Sequence, residues 1–268
     1  MSNLVSIVIL DFLKADRVLE NVNSLLTQKT NFNFDIYVID NSVSQNNAKK
    51  LLKLNQQNRV KVIINKENLG YSKAYNQVVS GLKSKYIFIV NPDILWPKNN
   101  IVQKMINFME KNKKVGIMGP RQLNDQGQEE LNARRFPKFY VQICRRTFLK
   151  NIPFFKRKIE YDALKGIDFS QMQEVDWLQS SCIVIRKELW DLIGGFNEEY
   201  FLFMADTELS YQSWKNNYKV ILNSEIYVQS DGIRLSSGGV GKFFVKKTIR
   251  SHLKDALKYY WNRFCEFK

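Results

Sequence analysis

The sequence YIFIVNPD, residues 86–93, sets five apolar residues directly before a turn that ends in a carboxylate. A continuous apolar run of this length predicts a buried strand, and Pro92 stiffens the turn behind it. Similar strand-sized runs lie upstream at residues 5–10 (VSIVIL), 35–39 (DIYVI) and 60–64 (VKVII), and helical spacing of apolar residues follows them. Strands that alternate with helices predict right-handed crossovers and a mostly parallel sheet, hence an α/β fold.

The second half of the chain is less regular than the first. Residues 120–170 are basic, aromatic and poorly periodic, and we interpret them as an excursion over the sheet. Gly194-Gly195 marks the end of a short helix. The other predicted elements are helices at residues 48–57, 71–82, 101–111 and 206–216, strands at residues 115–119, 175–178, 182–185, 219–222 and 226–228, and a basic helix within residues 242–268.

The composition of the 268-residue chain excludes several classes of protein. A hydrophobic fraction of 44% is incompatible with global disorder. The three cysteines, Cys144, Cys182 and Cys265, form no CxxC pair, which argues against a disulfide scaffold or a zinc finger. A single histidine excludes a histidine-based metal cluster, and no Walker or Rossmann glycine pattern occurs. Because the first residues also lack the features of a signal peptide, we expect a cytoplasmic protein.

Positive charge is concentrated in two segments. The net charge is +15, from 41 Lys and Arg against 26 Asp and Glu. Residues 134–158 contain nine basic and no acidic residues, and residues 242–268 contain eight basic and two acidic residues. These two segments therefore account for the whole net charge, and both interleave basic with aromatic side chains. Charge concentrated in this way predicts a partner at those segments.

Polar residues stand where ligands of parallel sheets bind, at or just after the ends of strands. Asp11, Asp40, Asn68 and Asp93 occupy such positions, and Asp206 opens a later helix. Taken singly, each is explained as a turn former or as an acidic residue in a first helical turn. Together they suit metal-assisted transfer from a nucleotide diphosphate, because Mg²⁺ takes few protein carboxylates and completes its ligands with phosphate oxygens. A second carboxylate would then abstract a proton.

Seven segments of the chain occur in the order seen in a known family. They are VSIVIL (5–10), VIDNS (38–42), NLGYSKAYN (68–76), NPD (91–93), VDWL (175–178), GGFNE (194–198) and FLFMADTEL (201–209). On these segments the sequence resembles family 2 glycosyltransferases of the GT-A fold, particularly their rhamnosyltransferase-like branch. The resemblance covers about residues 4–230 and implies a mostly parallel central sheet flanked by helices.

The resemblance implies that the first half of the chain, about residues 1–120, binds the nucleotide. The residues implied to contact it are Leu10, Asp11, Phe12, Asp40, Asn68, Gly70 and Lys73. Asp40 would bind the uracil or thymine edge of a UDP- or dTDP-sugar. Asp93 would hold Mg²⁺ or Mn²⁺ on the diphosphate, as the last acid of a DXD-like motif.

The resemblance implies that about residues 121–240 bind the acceptor. Asp206 would be the general base that deprotonates the acceptor hydroxyl. Trp177, Gln179 and Ser180 would lie near the transferred sugar and the acceptor.

The implied activity is the inverting, metal-assisted transfer of rhamnose or a hexose. The donor would be a dTDP- or UDP-sugar and the acceptor a glycan or lipid-linked hydroxyl, in bacterial surface polysaccharide or lipooligosaccharide synthesis. Residues 1–240 would form the transferase domain and residues 241–268 a basic amphipathic C-terminal helix.

The chain also departs from the family's pattern. Ala205 stands where a Glu usually precedes the base, and Gln229 takes the approximate place of a His that often helps to bind diphosphate or metal. These departures leave open a catalytically silent, glycosyltransferase-like binding partner. Retention of Asp93 and Asp206 favours the enzyme.

The two basic segments admit three interpretations. They could form a solvated face over a core stripe, bind an anionic membrane surface through basic and aromatic side chains, or bind nucleic acid. We expect the membrane, since the family's acceptors are often lipid-linked on the cytosolic leaflet. The protein would then lie peripherally on the inner face of the cell membrane. No RRM, KH or helix-turn-helix pattern supports nucleic acid.

Overall fold

The predicted alternation of strands and helices is present in the computed structural model, which describes residues 4–162, 168–232 and 247–266. The strands are β1 (Val5–Asp11), β2 (Phe34–Asp40), β3 (Val60–Ile64), β4 (Tyr86–Val90), β5 (Val115–Asn124), β6 (Glu129–Glu130), β7 (Ala133–Arg134), β8 (Gln173–Glu174), β9 (Trp177–Leu178), β10 (Cys182–Arg186) and β11 (Lys219–Ser230). The helices are α1 (Ala15–Leu26), α2 (Gln45–Leu51), α3 (Tyr71–Val79), α4 (Ile101–Lys111), α5 (Phe139–Arg146), α6 (Pro153–Asp162), α7 (Lys187–Ile193), α8 (Ala205–Lys215) and α9 (Lys247–Glu266), with 3₁₀ helices at Leu52–Gln56 and Phe148–Asn151.

One sheet organises the molecule. Its strand order is β3-β2-β1-β4-β10-β5-β11-β8, with β6 beside β5. Strands β1 to β4 are mutually parallel and β11 is parallel to β5, whereas β10 runs antiparallel to both neighbours. The prediction of a mostly parallel sheet flanked by helices is therefore confirmed. Because Cys182 at the start of β10 pairs with Val90 at the end of β4, the loop before β10 reaches the carboxyl edge of the parallel strands.

Two hydrophobic cores cover the two faces of the sheet. Ile7 and Ile9 of β1 belong to a core that includes buried side chains of α1 and α4, whereas Val8 belongs to a core with α3, α7 and α8. A strand buried on both faces has no polar alternation, which explains why residues 5–10 are apolar except for the buried Ser6. The polar residues that end such strands are thereby confined to the edge of the sheet.

The interpretation of residues 120–170 as an irregular excursion is only partly right. Strand β5 extends to Asn124, and two helices and a 3₁₀ helix lie between residues 139 and 162. Apart from Val141 and Cys144 of α5, which are buried, their described apolar residues are exposed or half-buried, so no long buried stripe marks them in the sequence. The predicted strands at residues 219–222 and 226–228 are parts of one strand, β11, whose register shifts between Asn223 and Tyr227.

The C-terminal helix packs against the rest of the protein. Within the predicted segment 241–268 the structure describes α9, and residues 241–246 and 267–268 lie outside the described residues. Ala256 and Tyr259 of α9 are buried, and Tyr259 belongs to the core beside α8. In the described parts of the chain, no helix combines the length and apolar character needed to cross a bilayer.

Candidate active site

The carboxylates of Asp11 and Asp40 lie side by side at the ends of β1 and β2, where the two residues pair in register. The Asn47 amide of α2 donates to Asp11 Oδ2 at 2.6 Å and to Asp40 Oδ1 at 3.1 Å. Burial raises the pKa of Asp11, and the hydrogen bonds from Asn47 and the Lys14 backbone N–H oppose this rise. Asp11 is therefore held inside the protein, where it shapes the turn after β1.

Asp40 retains an acceptor for a ligand. Its Oδ1 also accepts the Ser42 N–H at 2.9 Å, but its buried Oδ2 has no hydrogen-bond partner among the described residues. Leaving a buried acceptor unpaired costs about 1–3 kcal/mol. A ligand N–H that pairs with Oδ2 would remove that cost.

The loops after β1 and β2 expose apolar side chains beside these carboxylates in the sequence. Phe12, Leu13 and Val43 are all more than half exposed. Leu13 and Val43 also have positive φ angles, 63° and 59°, which are strained for side chains of these types. Leu10 is half-buried at the end of β1, and Lys73 is exposed in the first turn of α3. Strained, exposed apolar residues next to an unpaired acceptor are typical of a ligand site.

The turn at residues 68–70 is fixed from two sides. The Asn41 amide donates to Asn68 Oδ1 at 2.9 Å and to the Gly70 carbonyl at 3.2 Å. Gly70 has a φ of 78°, and a Cβ there would lie 2.6 Å from the carbonyl oxygen of Phe201. The Tyr71 N–H donates to that same oxygen at 2.6 Å. The turn after β3 is therefore fastened directly to the loop before α8.

Asp206 lies in the first turn of α8, behind Met204, which has a φ of 67°. Its Oδ1 accepts the Thr207 N–H at 2.9 Å and its Oδ2 the Ser180 N–H at 3.4 Å. Burial raises the pKa of Asp206 to about 6, although these hydrogen bonds and the charge of Arg134 act to lower it. A carboxylate with this pKa is ionised at neutral pH and is basic enough to take a proton in a reaction.

Of the predicted acceptor residues, Ser180 contacts this carboxylate directly, and Trp177 and Gln179 lie in the same segment before β10. Ser180 Oγ and the Tyr71 hydroxyl are hydrogen-bonded at 2.6 Å. Burial raises the pKa of Tyr71, and the negative charge of Asp206 adds to this rise. Trp177 Nε1 donates to the carbonyl oxygen of Arg135 at 2.9 Å. The backbone N–H of Gln179 donates a hydrogen bond to a backbone carbonyl of the loop before β7.

Ser180 and Ser181 bring the two predicted catalytic regions together. The Asn91 N–H, two residues before Asp93, donates to the Ser181 carbonyl at 2.7 Å, and the adjacent Ser180 N–H donates to Asp206. Asp93 and Asp206 therefore lie at the same edge of the sheet, on either side of one two-residue segment.

Asp93 has two charged neighbours. Lys14 Nζ lies 3.6 Å from Asp93 Oδ1 and 2.7 Å from Asp231 Oδ2, and both aspartate side chains are nearly buried. Burial raises the pKa of Asp93, Lys14 opposes this rise and Asp231 adds to it. Backbone hydrogen bonds between Leu95 and Gln229 align β11 so that Asp231 follows beside Asp93. Asp231, and not Gln229, thus provides the second polar group next to Asp93.

This pair of carboxylates suits a divalent ion that also binds phosphate. The described residues contain no cluster of three or more His, Cys, Asp or Glu side chains that could hold a metal ion. Mg²⁺, however, is usually bound by one or two carboxylates plus substrate phosphates and water, and the oxygens of Asp93 and Asp231 match that donor set.

The C-terminal helix supports the loop that precedes the base. Asp255 of α9 is buried, and its carboxylate accepts the backbone N–H groups of residues 201–203 at 3.3, 3.1 and 2.9 Å. Arg263 forms a nearly buried ion pair with Glu208 of α8 and lies over the ring of Tyr211. Helix α9 therefore holds both the loop before Asp206 and the helix that carries it.

Several residues of the site escaped the sequence analysis. Asn41 lies within the quoted segment VIDNS, so its polar character at a strand end was a usable signal. Lys14, Asp231 and Asp255 act on partners far away in the chain, and no local pattern marks them. The sequence alone offered no signal for these three.

Comparisons with known proteins bear on this site. The family model described as "Glycosyl transferase family 2" matches residues 6–175. The chain is 25% identical over 154 residues to an N-acetylglucosaminyl-diphospho-decaprenol L-rhamnosyltransferase of Mycobacterium tuberculosis. The aligned residues cover 53% of this chain and 49% of that protein. It is also 23% identical over 219 residues to the low-salt glycan biosynthesis hexosyltransferase Agl10 of Haloferax volcanii. That alignment covers 80% of this chain and 63% of that protein. The chain thus spans about half of the length of the first relative and less than two thirds of the second.

A solved structure shows the same fold. The mannosyltransferase PcManGT of Pyrobaculum calidifontis, in complex with GDP-Man and Mn²⁺, superposes with a TM-score of 0.59 at 12% identity and covers 88% of this chain and 59% of that one. The expected GT-A fold is therefore confirmed.

Proposed function

The chain belongs to glycosyl transferase family 2, and from this premise we propose that it transfers a sugar from a nucleotide diphosphate to an acceptor hydroxyl. One observation carries the proposal. The Ser180-Ser181 segment hydrogen-bonds the turn that holds Asp93 and also Asp206, so a site for diphosphate and a candidate base share one edge of the sheet.

The donor nucleotide binds at the ends of β1 and β2. Asp40 Oδ2 accepts the imino N–H of uracil or thymine, which gives this buried oxygen a hydrogen-bond donor. The exposed apolar side chains of Phe12, Leu13 and Val43 provide a surface for the base and ribose. A UDP- or dTDP-sugar fits this combination of an acceptor and an apolar surface.

Asp93 and Asp231 would hold Mg²⁺ or Mn²⁺ beside the diphosphate. When bound, the ion offsets the negative charge that develops on the leaving diphosphate. The Mn²⁺ in the complex of the mannosyltransferase above is consistent with this assignment.

The chain's own residues then perform the transfer. Asp206 removes the proton of the acceptor hydroxyl, and the oxygen attacks the anomeric carbon of the donor. The bond from that carbon to the diphosphate oxygen breaks, and the nucleoside diphosphate leaves with the electron pair. A single displacement from the opposite side inverts the anomeric centre. Hydrogen bonds from the Thr207 and Ser180 N–H groups and the charge of Arg134 favour the ionised carboxylate against the effect of burial, and general-base action of this kind contributes roughly 10²–10⁴-fold to the rate.

The donor sugar is rhamnose or a hexose, and the acceptor is a glycan or lipid-linked hydroxyl in the synthesis of a bacterial surface polysaccharide or lipooligosaccharide. The names of the two relatives, a rhamnosyltransferase with a polyprenyl-diphosphate acceptor and a hexosyltransferase of glycan biosynthesis, support these classes.

A donor panel tests the proposal. UDP- and dTDP-linked sugars are incubated with the protein, Mn²⁺ and candidate acceptors, and released UDP or dTDP is measured. We expect release from one donor and its loss in Asp40→Asn through weaker donor binding. Nucleotide binding without release from any donor would favour the catalytically silent binding partner.

We also propose that the protein lies on an anionic membrane surface and contacts it through α5, α6 and the 3₁₀ helix between them. Phe148 and Phe154 are 76% and 63% exposed, although large apolar side chains are normally buried. Lys150, Lys156 and Arg157 are exposed beside them. Each basic residue near an anionic surface contributes about 1 kcal/mol, and the aromatic rings suit the headgroup region.

Vesicle sedimentation tests this membrane contact. The double variant Phe148→Ser/Phe154→Ser should lose binding to vesicles with anionic lipid, whereas Leu192→Ser, which alters an equally exposed residue elsewhere, should not. Equal sedimentation of the double variant and wild type would contradict this contact. Binding of an oligonucleotide with no binding to vesicles would favour nucleic acid.

A further inference from the structure

Lys14 occupies an unusual position for a surface lysine. It follows β1 and reaches across the site to the ends of two strands that are far away in the sequence. Its ammonium lies within 3.6 Å of carboxylate oxygens of both Asp93 and Asp231 and donates a hydrogen bond to the latter. The Lys14 side chain is 30% exposed, so it can leave this position toward solvent without unfolding.

The charges explain why a cation belongs at this position. The Asp93 and Asp231 side chains are 12% and 5% exposed, and their mutual repulsion is poorly screened by water. One ammonium offsets half of their joint charge. A divalent ion on the same oxygens would offset all of it, and the ammonium would then face a second cation at close range.

We propose that Lys14 is an internal counter-cation that competes with the divalent ion for Asp93 and Asp231. In the free protein the ammonium offsets half of the charge of the pair, and on metal binding it gives up its place at these carboxylates. The metal therefore binds weakly until the diphosphate supplies further oxygen ligands and negative charge. This inference rests on the role proposed above for Asp93.

Binding of Mn²⁺ to the full chain without nucleotide, measured by electron paramagnetic resonance, tests the competition. Lys14→Met should bind Mn²⁺ about tenfold more tightly than the wild type, because the ion no longer displaces an ammonium. Lys50→Met is the matched control, since it removes a lysine that is paired with Asp16 on the surface, and it should bind Mn²⁺ as the wild type does. Asp231→Asn should bind more weakly.

The outcomes separate this inference from the proposed function. Unchanged or weaker Mn²⁺ binding by Lys14→Met, or equally tighter binding by Lys50→Met, would overturn the competition. Asp93→Asn tests the metal site itself. If that variant binds Mn²⁺ as the wild type does, the metal role of Asp93 fails and the competition fails with it. If Asp93→Asn loses Mn²⁺ while Lys14→Met behaves as the wild type, the competition alone is wrong.

Discussion

The ionisation of Asp206 links its surroundings to the rate of reaction. Burial raises its pKa to about 6, and the base must be ionised to accept a proton. We therefore expect kcat/KM to fall as the pH drops through about 6, with an acidic limb that follows one group. A rate that is constant from pH 5 to pH 8 would contradict this assignment of the base.

The same raised pKa predicts a cost in stability. A carboxyl whose pKa is higher in the folded state than in the unfolded state binds its proton more tightly when the protein is folded. Its contribution to stability therefore falls as the pH rises from the pKa of the unfolded state, near 4, to the pKa of the folded state, about 6. Asp206→Asn should thus raise the melting temperature at pH 8 and have a smaller effect at pH 4. Calorimetry at both pH values measures this difference, and a variant that melts earlier than wild type at pH 8 would count against it.

Gly70 is required by both its backbone angle and its surroundings. In Gly70→Ala the new Cβ would meet the Phe201 carbonyl oxygen at 2.6 Å, so the turn or the loop must move. We expect a loss of about 1–3 kcal/mol in the free energy of unfolding and weaker nucleotide binding. Gly127→Ala is the matched control, because its φ of 75° is similar but its Cβ meets open space. Chemical denaturation and nucleotide titration of both variants separate the effect of the contact with Phe201 from that of the backbone angle. Equal losses of stability in the two variants would show that the contact with Phe201 contributes nothing.

Among the helices, α9 holds the loop before Asp206 through the carboxylate of Asp255. Asp255 accepts three consecutive backbone N–H groups of the loop at residues 201–203, and that loop contacts the turn at Gly70 and leads to Asp206. Asp255→Ala leaves those donors unpaired, at a cost of about 2–4 kcal/mol. We expect faster amide exchange at residues 201–203 and a lower kcat.

A neighbouring lysine provides the control for this prediction. Lys254 is exposed on the same helix, so Lys254→Ala changes α9 without touching the loop. Amide exchange in that variant should match the wild type. If Asp255→Ala left exchange at residues 201–203 unchanged as well, α9 would not be what holds the loop.

The elements also show what the sequence could predict. The strands at residues 60–64 and 86–90 and the helix at residues 101–111 match the structure. Residues 86–90 form an uninterrupted apolar run, residues 60–64 form a run broken only by Lys61, and residues 101–111 carry a regular apolar stripe. Helices α5 and α6 were missed because they are short and rich in basic residues, and the two buried apolar residues that the structure describes there, Val141 and Cys144, are too few to establish a helical period.

At the scale of the whole molecule, local patterns predicted the fold and only part of the site. Asp40, Asp93 and Asp206 are marked by the strands or helix at which they stand. Asp231 and Asp255 could not be identified, because their importance arises from contacts with residues more than 50 positions away. The sheet places Asp231 beside Asp93 through the long strand β11, and the packing of α9 places Asp255 at the loop of residues 201–203.

The central claim is that Asp206 acts on an acceptor beside a donor bound at the same edge of the sheet. The most direct test measures donor binding and turnover together in Asp206→Asn. We expect wild-type affinity for the nucleotide sugar, measured by calorimetry, and a loss of turnover of roughly 10²-fold or more. Unchanged turnover, or a loss of donor binding as large as the loss of turnover, would contradict it.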